Sequence, residues 1–241
     1  MHCHRFLLVC FCACLLAALP LAGEEPPAVE KAPAQDEHAT LKRFFKSYSG
    51  ATDQPLLRAD AVLMLKGLKS AEAWRVLIGL LADSAPEVRR NACRVMAETH
   101  DPQGYFVKPL TGALRDPDAP VRLAAGEAMS TVRVKSRAVK ALVITLGEVV
   151  QTVPLDPSFV GGLHKALVRL TGHRPVEEAS PKELAALWME WWKQNQEALE
   201  AADQKYLEQF KASEAGPRVK AEAPLPAAKS TPPAKDLPSG R

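Results

Sequence analysis

The sequence has few cysteines, few aromatic residues and little net charge for its length of 241 residues. Four of its five cysteines fall within the first fourteen residues, which leaves Cys93 as the one thiol of the remaining chain. A single thiol forms no internal disulfide, so a disulfide framework is not expected. The formal net charge of +3 is too small to predict binding to nucleic acid or to a membrane surface. The sequence therefore favours a domain stabilised by its apolar core, with Cys93 as a small packed residue.

Patterns that would indicate catalysis are also missing from the sequence. No two histidines are spaced i, i+4, and none is followed by glutamate. No glycine-rich phosphate loop, serine elbow or cysteine–histidine pattern occurs, and the pair Gly161-Gly162 alone is a weak signal. We expect no metal site, no cofactor and no catalytic residues from these patterns.

One long apolar run is present, at the N-terminus. Residues 6–22 carry no charge, follow the basic Arg5 and end just before an acidic pair. This three-part pattern is typical of a secretory signal peptide over residues 1–23. The run has seventeen residues, whereas a transmembrane helix needs about 20 apolar residues to span a bilayer. An uncleaved membrane anchor is therefore the second alternative. We expect export to a periplasm, a cell envelope or the medium, with no membrane span left after cleavage.

Two segments of biased composition flank the rest of the chain. Residues 24–40 hold five acidic residues and three prolines, which predicts an acidic, proline-rich linker. Residues 216–241 hold six prolines and an excess of basic residues, which predicts a disordered Pro/Ala/Lys-rich tail. The tail either contacts an acidic polymer or acts as a solvated spacer, and its composition favours the spacer. The folded body is expected over residues 41–215.

The body contains an internal repeat. The segments 83–96 and 116–129 share an Asp, a Val-Arg pair, an Ala and a Met at an offset of 33 residues. Residues 57–65 fit the same pattern, 31 positions before residues 88–96. Apolar residues at helical spacing predict two helices per unit, and no segment alternates as a strand does. Repeated helix pairs bury their apolar faces by stacking, so the sequence predicts an all-α solenoid. The predicted core of the first helices is Leu57, Ala61, Met64, Leu65 and Leu68, then Val88, Ala92, Val95 and Met96, then Val121, Ala125, Ala128, Met129 and Val132.

The unit Asp-x-x-Pro-x-Val-Arg-x-x-Ala resembles the HEAT repeat, in its short bacterial form, over about residues 50–150. The resemblance implies a short right-handed α-solenoid. It also implies a ladder of ion pairs between the turn Asp and the helix Arg, here Asp83 with Arg89 and Asp116 with Arg122, or with their counterparts in the next unit. The first unit departs from the pattern, because Thr52 stands where the turn Asp is expected.

The C-terminal part of the body predicts a cap for the solenoid. Ser180 and Glu183 form the pattern of a capping box at a helix start. Trp188, Trp191 and Trp192 follow at helical spacing, which favours a plug over the open end of the solenoid rather than a cage for a sugar or a cation. The segment Leu-Thr-Gly followed by Trp-x-x-Trp-Trp is similar to the end of exported bacterial HEAT-repeat proteins.

Basic residues recur on the predicted second helices, which line the concave side of such solenoids. Arg75, Lys108 and Lys140 follow one another at offsets of 33 and 32 residues, with Arg115 and Arg137 nearby. They form either a binding row for an acidic partner or a solvated charged face, and the solvated face is the commoner case. The sequence thus favours a non-enzymatic exported scaffold that binds a protein partner. The alternatives are a lyase or hydrolase-type enzyme, or its regulatory subunit, that uses the concave groove, and carbohydrate binding through the tryptophans.

Overall fold

The computed structural model describes residues 34–99, 101, 103–175 and 179–212. Over these residues the chain forms α-helices and one short 3-10 helix, with no strand. The α-helices are α1 (Ala34–Gly50), α2 (Pro55–Val62), α3 (Ala71–Leu80), α4 (Pro86–Glu98), α5 (Val107–Ala113), α6 (Ala119–Met129), α7 (Lys135–Val149), α8 (Pro157–Thr171) and α9 (Pro181–Ala212). The 3-10 helix, Leu63–Leu65, extends α2. No helix in these ranges is long and apolar enough to cross a membrane.

The helices stack in two layers. In the first layer α2, α4, α6 and α8 contact one another in succession, and in the second layer α5 contacts α7, which contacts α9. Pairs α3–α4, α5–α6 and α7–α8 join the layers, and one apolar core runs between them. We call α2–α3, α4–α5 and α6–α7 units 1, 2 and 3. This arrangement confirms the predicted all-α solenoid.

Each helix of the first layer has a proline at or next to its first residue. Pro55, Pro86, Pro120 and Pro157 occupy the first or second helical position, where a backbone N–H has no helical partner to lose. In α6 and α8 the preceding aspartate also accepts a hydrogen bond from a free backbone N–H of the first turn. Because these start signals recur from unit to unit, the repeat pattern predicted where the helices of the first layer begin.

Three helices of the second layer are capped by carboxylates that lie outside them. Glu37 of α1 accepts hydrogen bonds from the backbone N–H groups of Lys69 and Ser70, just before α3. Asp203 of α9 accepts bonds of 2.9 and 2.7 Å from the N–H groups of residues 135 and 136 at the start of α7. Asp101 does the same for residues 105 and 106 before α5. Helices α1 and α9 are therefore fixed to the ends of the solenoid by charge-assisted bonds as well as by packing.

The predicted core of the first helices is correct in units 2 and 3 and wrong at two positions of unit 1, and on the second helix of unit 1 the predicted core residue Ile78 is exposed. Ala61, Leu65 and Leu68 are buried, but Leu57 and Met64 are exposed. Their place in the core is taken by Ala59 and Val62. The physical reason is that, within the described part of the chain, α1 alone precedes α2, and no first-layer helix covers the outer side of α2.

The predicted boundary of the linker also needs correction. Helix α1 begins at Ala34, so residues 34–40, which the composition placed in the linker, are helical. The predicted signal peptide at 1–23, the rest of the predicted linker at 24–33 and the predicted tail at 216–241 lie outside the described residues.

Candidate functional site

Ion pairs join consecutive units along one edge of the solenoid. They are Arg58–Asp83 at 3.0 Å, Arg89–Asp116 at 2.7 Å and Arg122–Asp156 at 3.2 Å. Arg89 binds Asp116 through two nitrogens and also donates to the backbone carbonyls of residues 83 and 84 in its own unit. Of the alternatives from the sequence, the structure therefore shows pairing with the next unit. Arg58 fills this role in unit 1.

Two of the ladder carboxylates, Asp83 and Asp116, are held in their charged form. Burial alone would raise the pKa of Asp116, but hydrogen bonds from Arg89 and from the backbone N–H of Asp118 outweigh it, and the pKa lies below its usual value. The pKa of Asp83 is lowered in the same way, by bonds from Tyr48, the backbone of Ala85 and Arg58 that outweigh its burial. These charges are used inside the scaffold and are not available to a ligand.

The C-terminal cap is built around Trp188. Ser180 and Glu183 form the reciprocal bonds of a capping box at the start of α9. Trp188 is fully buried and its indole N–H donates to Nδ1 of His164 at 3.1 Å, while Trp192 is buried beside it. Trp191 is partly buried and stacks on His173. Because the indole rings of Trp188 and Trp192 are buried, their faces cannot stack on a sugar. The geometry therefore favours the plug over a sugar-binding cage.

Two adjoining cavities lie on the first layer at its C-terminal end. One, of about 320 Å³, is a groove between α6 and α8, lined by Leu123, Glu127, Ser130, Gly162, Lys165, Ala166 and Arg169. The other, of about 600 Å³, continues past the end of α8 and is lined by His164, Lys165, Val168, Arg169, Gly172, Arg174 and Pro175. Both share Lys165 and Arg169, so we treat them as one site, the α8 groove.

The α8 groove is basic and close-packed at its base. Lys165 and Arg169 are exposed and stand one helical turn apart, and Arg174 is exposed beyond the left-handed Gly172 that ends α8. Within the described residues none of these three side chains forms a hydrogen bond or an ion pair. A Cβ at Gly162 would lie 2.8 Å from Cδ2 of Leu123, so the glycine allows α6 and α8 to approach here.

Comparison with known proteins agrees with the repeat pattern. Residues 49–130, and again residues 76–152, match the family model for HEAT repeats. The repeats are HEAT-like. No curated protein matches the sequence significantly. HEAT repeats typically form non-enzymatic scaffolds for protein interaction. The match ends at residue 152, so the similarity of the closing segment with its tryptophans stays a prediction.

The basic residues predicted on the second helices of the HEAT-like units are divided by the structure. Arg75, Lys108, Arg137 and Lys140 are exposed, and none of them lines a cavity described here. Arg115 is paired with Glu148 at 2.8 Å, so its charge is already compensated. Lys165 and Arg169, by contrast, line two of the described cavities, which makes the α8 groove the better defined candidate.

The sequence reasoning missed the α8 groove. Its signal was present, because Lys165 and Arg169 are spaced i, i+4 on the polar side of a helix that begins at Pro157. What the sequence did not indicate is that α6 lies against this side of α8 and forms a groove. No group of three or more potential metal-ligating side chains occurs among the residues described.

Proposed function

We propose that the chain is an exported HEAT-like scaffold that binds an acidic segment of a protein partner in the α8 groove. The observation that carries the proposal is the pair of adjoining cavities that share Lys165 and Arg169, with Arg174 close by and none of the three paired within the described residues. Exposed cations that converge on a concave surface attract carboxylates and fix their position.

The distribution of electrostatically perturbed groups supports a scaffold. Most of the described groups with displaced pKa values belong to the ladder or contact it, and the others are Cys93, Tyr105 and Glu183; none of them lines a described cavity. Enzymes concentrate such groups in a pocket, where they act as acids, bases or nucleophiles. Here most of them bind unit to unit, and the α8 groove offers basic side chains and apolar surface.

Binding is tested by using the chain as bait in its native cell envelope. The wild-type protein is compared with a groove variant, Lys165→Glu/Arg169→Glu, and with a matched variant of the second layer, Lys108→Glu/Lys140→Glu. Cross-linking and mass spectrometry identify the captured protein and the contact residues. The proposal expects one acidic partner that is lost only in the groove variant. A partner lost only in the second-layer variant would contradict it and favour the concave row instead.

Export is a separate part of the proposal and rests on the N-terminal pattern. Fusion of residues 1–33 to a phosphatase that folds only outside the cytoplasm tests it. Activity with the native signal, and none after Leu7→Arg/Leu8→Arg, is expected because charges in the apolar run block translocation. A mature N-terminus near residue 24 would indicate cleavage, and an intact one would indicate the anchor. An inactive fusion would contradict export.

A further inference from the structure

The N-terminal end of the first layer carries exposed apolar residues. Leu56 and Leu57 at the start of α2 are 66% and 52% exposed. Leu63 and Met64, in the 3-10 helix that extends α2, are 49% and 43% exposed. We call these four residues, together with Asp60 between them, the α2 face. A cavity of about 660 Å³ opens beside the face, lined by Arg43, Lys46, Ser47, Gly50, Ala51, Leu57, Asp60, Ala61 and Met64.

Comparison with the other units shows that part of this face is normally covered. Leu57 stands where units 2 and 3 have Val88 and Val121, both fully buried. Met64 stands where unit 2 has the buried Val95. In unit 2 a first-layer helix, α2, packs on α4. The described residues supply no such helix for α2, so this side of α2 is left uncovered within them.

The other two residues of the face, Leu56 and Leu63, are also more apolar than their counterparts in the repeat. Leu56 stands where unit 2 has Glu87. Leu63 stands where units 2 and 3 have Arg94 and Glu127, both exposed. Leucine thus replaces charge at two outward positions of unit 1. An exposed apolar group of this kind, rimmed by polar residues, marks an interaction surface.

We infer that a second copy of this chain covers the α2 face, with α2 of one copy packed against α2 of the other. Among the described residues the other exposed large apolar side chains are scattered along the fold: Phe45, Ile78, Ile144, Val153 and Leu187. The α2 face is therefore the concentrated apolar surface that one copy offers to another. Two identical faces in contact form a closed two-fold dimer.

Once the predicted signal peptide is removed, the remaining flanking segments of the chain fit the face poorly. Residues 24–33 and 213–241 are rich in Pro, Ala and charge and contain no aromatic residue and no apolar run. They lack the bulky side chains that would fill a groove between Leu57 and Met64. Ala61 lies in this groove, and its small side chain leaves space for an apolar residue of the opposite copy.

Charge complementarity also fits a contact between identical faces. Arg43 and Lys46 of α1 lie on one side of the cavity, and Asp60 of α2 lies on the other. In a two-fold contact residue i of one copy meets residue j of the other and j meets i, so the cations of one copy approach Asp60 of the other where these groups lie away from the axis.

Sedimentation equilibrium tests the inference. It uses the full chain in the form in which the cell produces it, after any removal of the predicted signal peptide. A single helix contact of this size is expected to give a reversible dimer with a Kd of roughly 1–100 µM. Leu56→Glu/Leu63→Arg, which gives unit 1 the residues of unit 2, is expected to raise Kd by about tenfold or more. The comparably exposed pair Ile144→Arg/Leu187→Glu is the control and is expected to leave Kd unchanged. Because all four positions are exposed, circular dichroism should show native helix content.

A charge swap identifies the second copy as the occupant. Asp60→Lys alone places like charges across the contact and is expected to weaken the dimer. Combining it with Arg43→Glu and Lys46→Glu on the same chain is expected to restore the dimer, because opposite charges then face each other again. A wild-type chain that stays monomeric up to about 200 µM, or a dimer that Leu56→Glu/Leu63→Arg leaves intact, would overturn the inference. These outcomes are independent of the α8 groove and of the proposed partner.

Discussion

Cys93 shows how a residue's chemistry follows from its place in the core. The side chain lies on α4, fully buried among apolar neighbours. Burial, reinforced by the nearby charge of Asp116, raises the pKa of the thiol to about 12. Because the thiolate is the reactive form, the folded protein should protect Cys93 from modification.

We expect Cys93 to resist alkylation in the native state and to react once the protein is unfolded. Treatment with iodoacetamide at pH 8, followed by peptide mass spectrometry, measures modification at this residue alone. In denaturant the same reagent should modify it almost completely. Rapid labelling of the folded protein would mean that the packing of α4 against α2 and α6 is wrong.

The ladder is best understood at the scale of the helices that it joins. Asp116 precedes α6, and its carboxylate receives two bonds from Arg89 of α4. Its lowered pKa means that the folded state binds a proton less readily than the unfolded chain does. The stabilisation is therefore fully present above the unfolded pKa of about 3.9. It is lost as the pH falls through the folded value.

Asp116→Asn is expected to lower the free energy of unfolding at pH 7 by roughly 1–3 kcal/mol, because Arg89 loses its charged partner. The difference from wild type should shrink as the pH falls below about 4, where the unfolded chain begins to bind a proton at Asp116, and disappear once the pH has fallen through the folded pKa. Urea unfolding at several pH values measures both effects. The control is Glu148→Gln, which breaks a half-exposed pair with Arg115 and should cost less than about 1 kcal/mol. An equal cost for the two variants would contradict the structural role of the ladder.

Asp203 fixes the long helix α9 to the start of α7. Replacing it by alanine leaves two backbone N–H groups without their acceptor, and one of them, that of Ser136, is buried. We expect Asp203→Ala to cost about 1–3 kcal/mol. Glu200→Ala, an exposed change on the same helix, should stay within about 0.5 kcal/mol. Chemical unfolding of the two variants compares them, and similar stabilities would show that α9 is held by packing alone.

At the scale of the whole molecule, the repeat made much of the fold predictable. Matched Val-Arg, Ala and Met positions placed the core of units 2 and 3, because each unit repeats the environment of the one before. Unit 1 was predicted wrongly at Leu57 and Met64, since periodicity carries no information about what precedes the first repeat. The caps formed by Glu37 and Asp203 were not predicted either, because they join residues 32 to 68 positions apart.

The candidate site was less predictable than the fold. The basic residues of the second helices recur at the repeat offset, and this regularity drew attention to a surface that lines none of the described cavities. The α8 groove depends instead on the close approach that Gly162 permits and on a left-handed residue that directs Arg174 past the end of α8. Such a site arises where the repeat ends, so a repeat pattern does not indicate it.

The central claim is that the α8 groove binds acidic protein segments, and a direct titration tests it. A fluorescent glutamate-rich peptide is added to the wild-type chain, to Lys165→Glu/Arg169→Glu and to Lys108→Glu/Lys140→Glu, and anisotropy is followed at several salt concentrations. We predict binding that weakens with salt and falls about tenfold or more in the groove variant alone. Equal affinity for the wild-type chain and the groove variant would contradict the account.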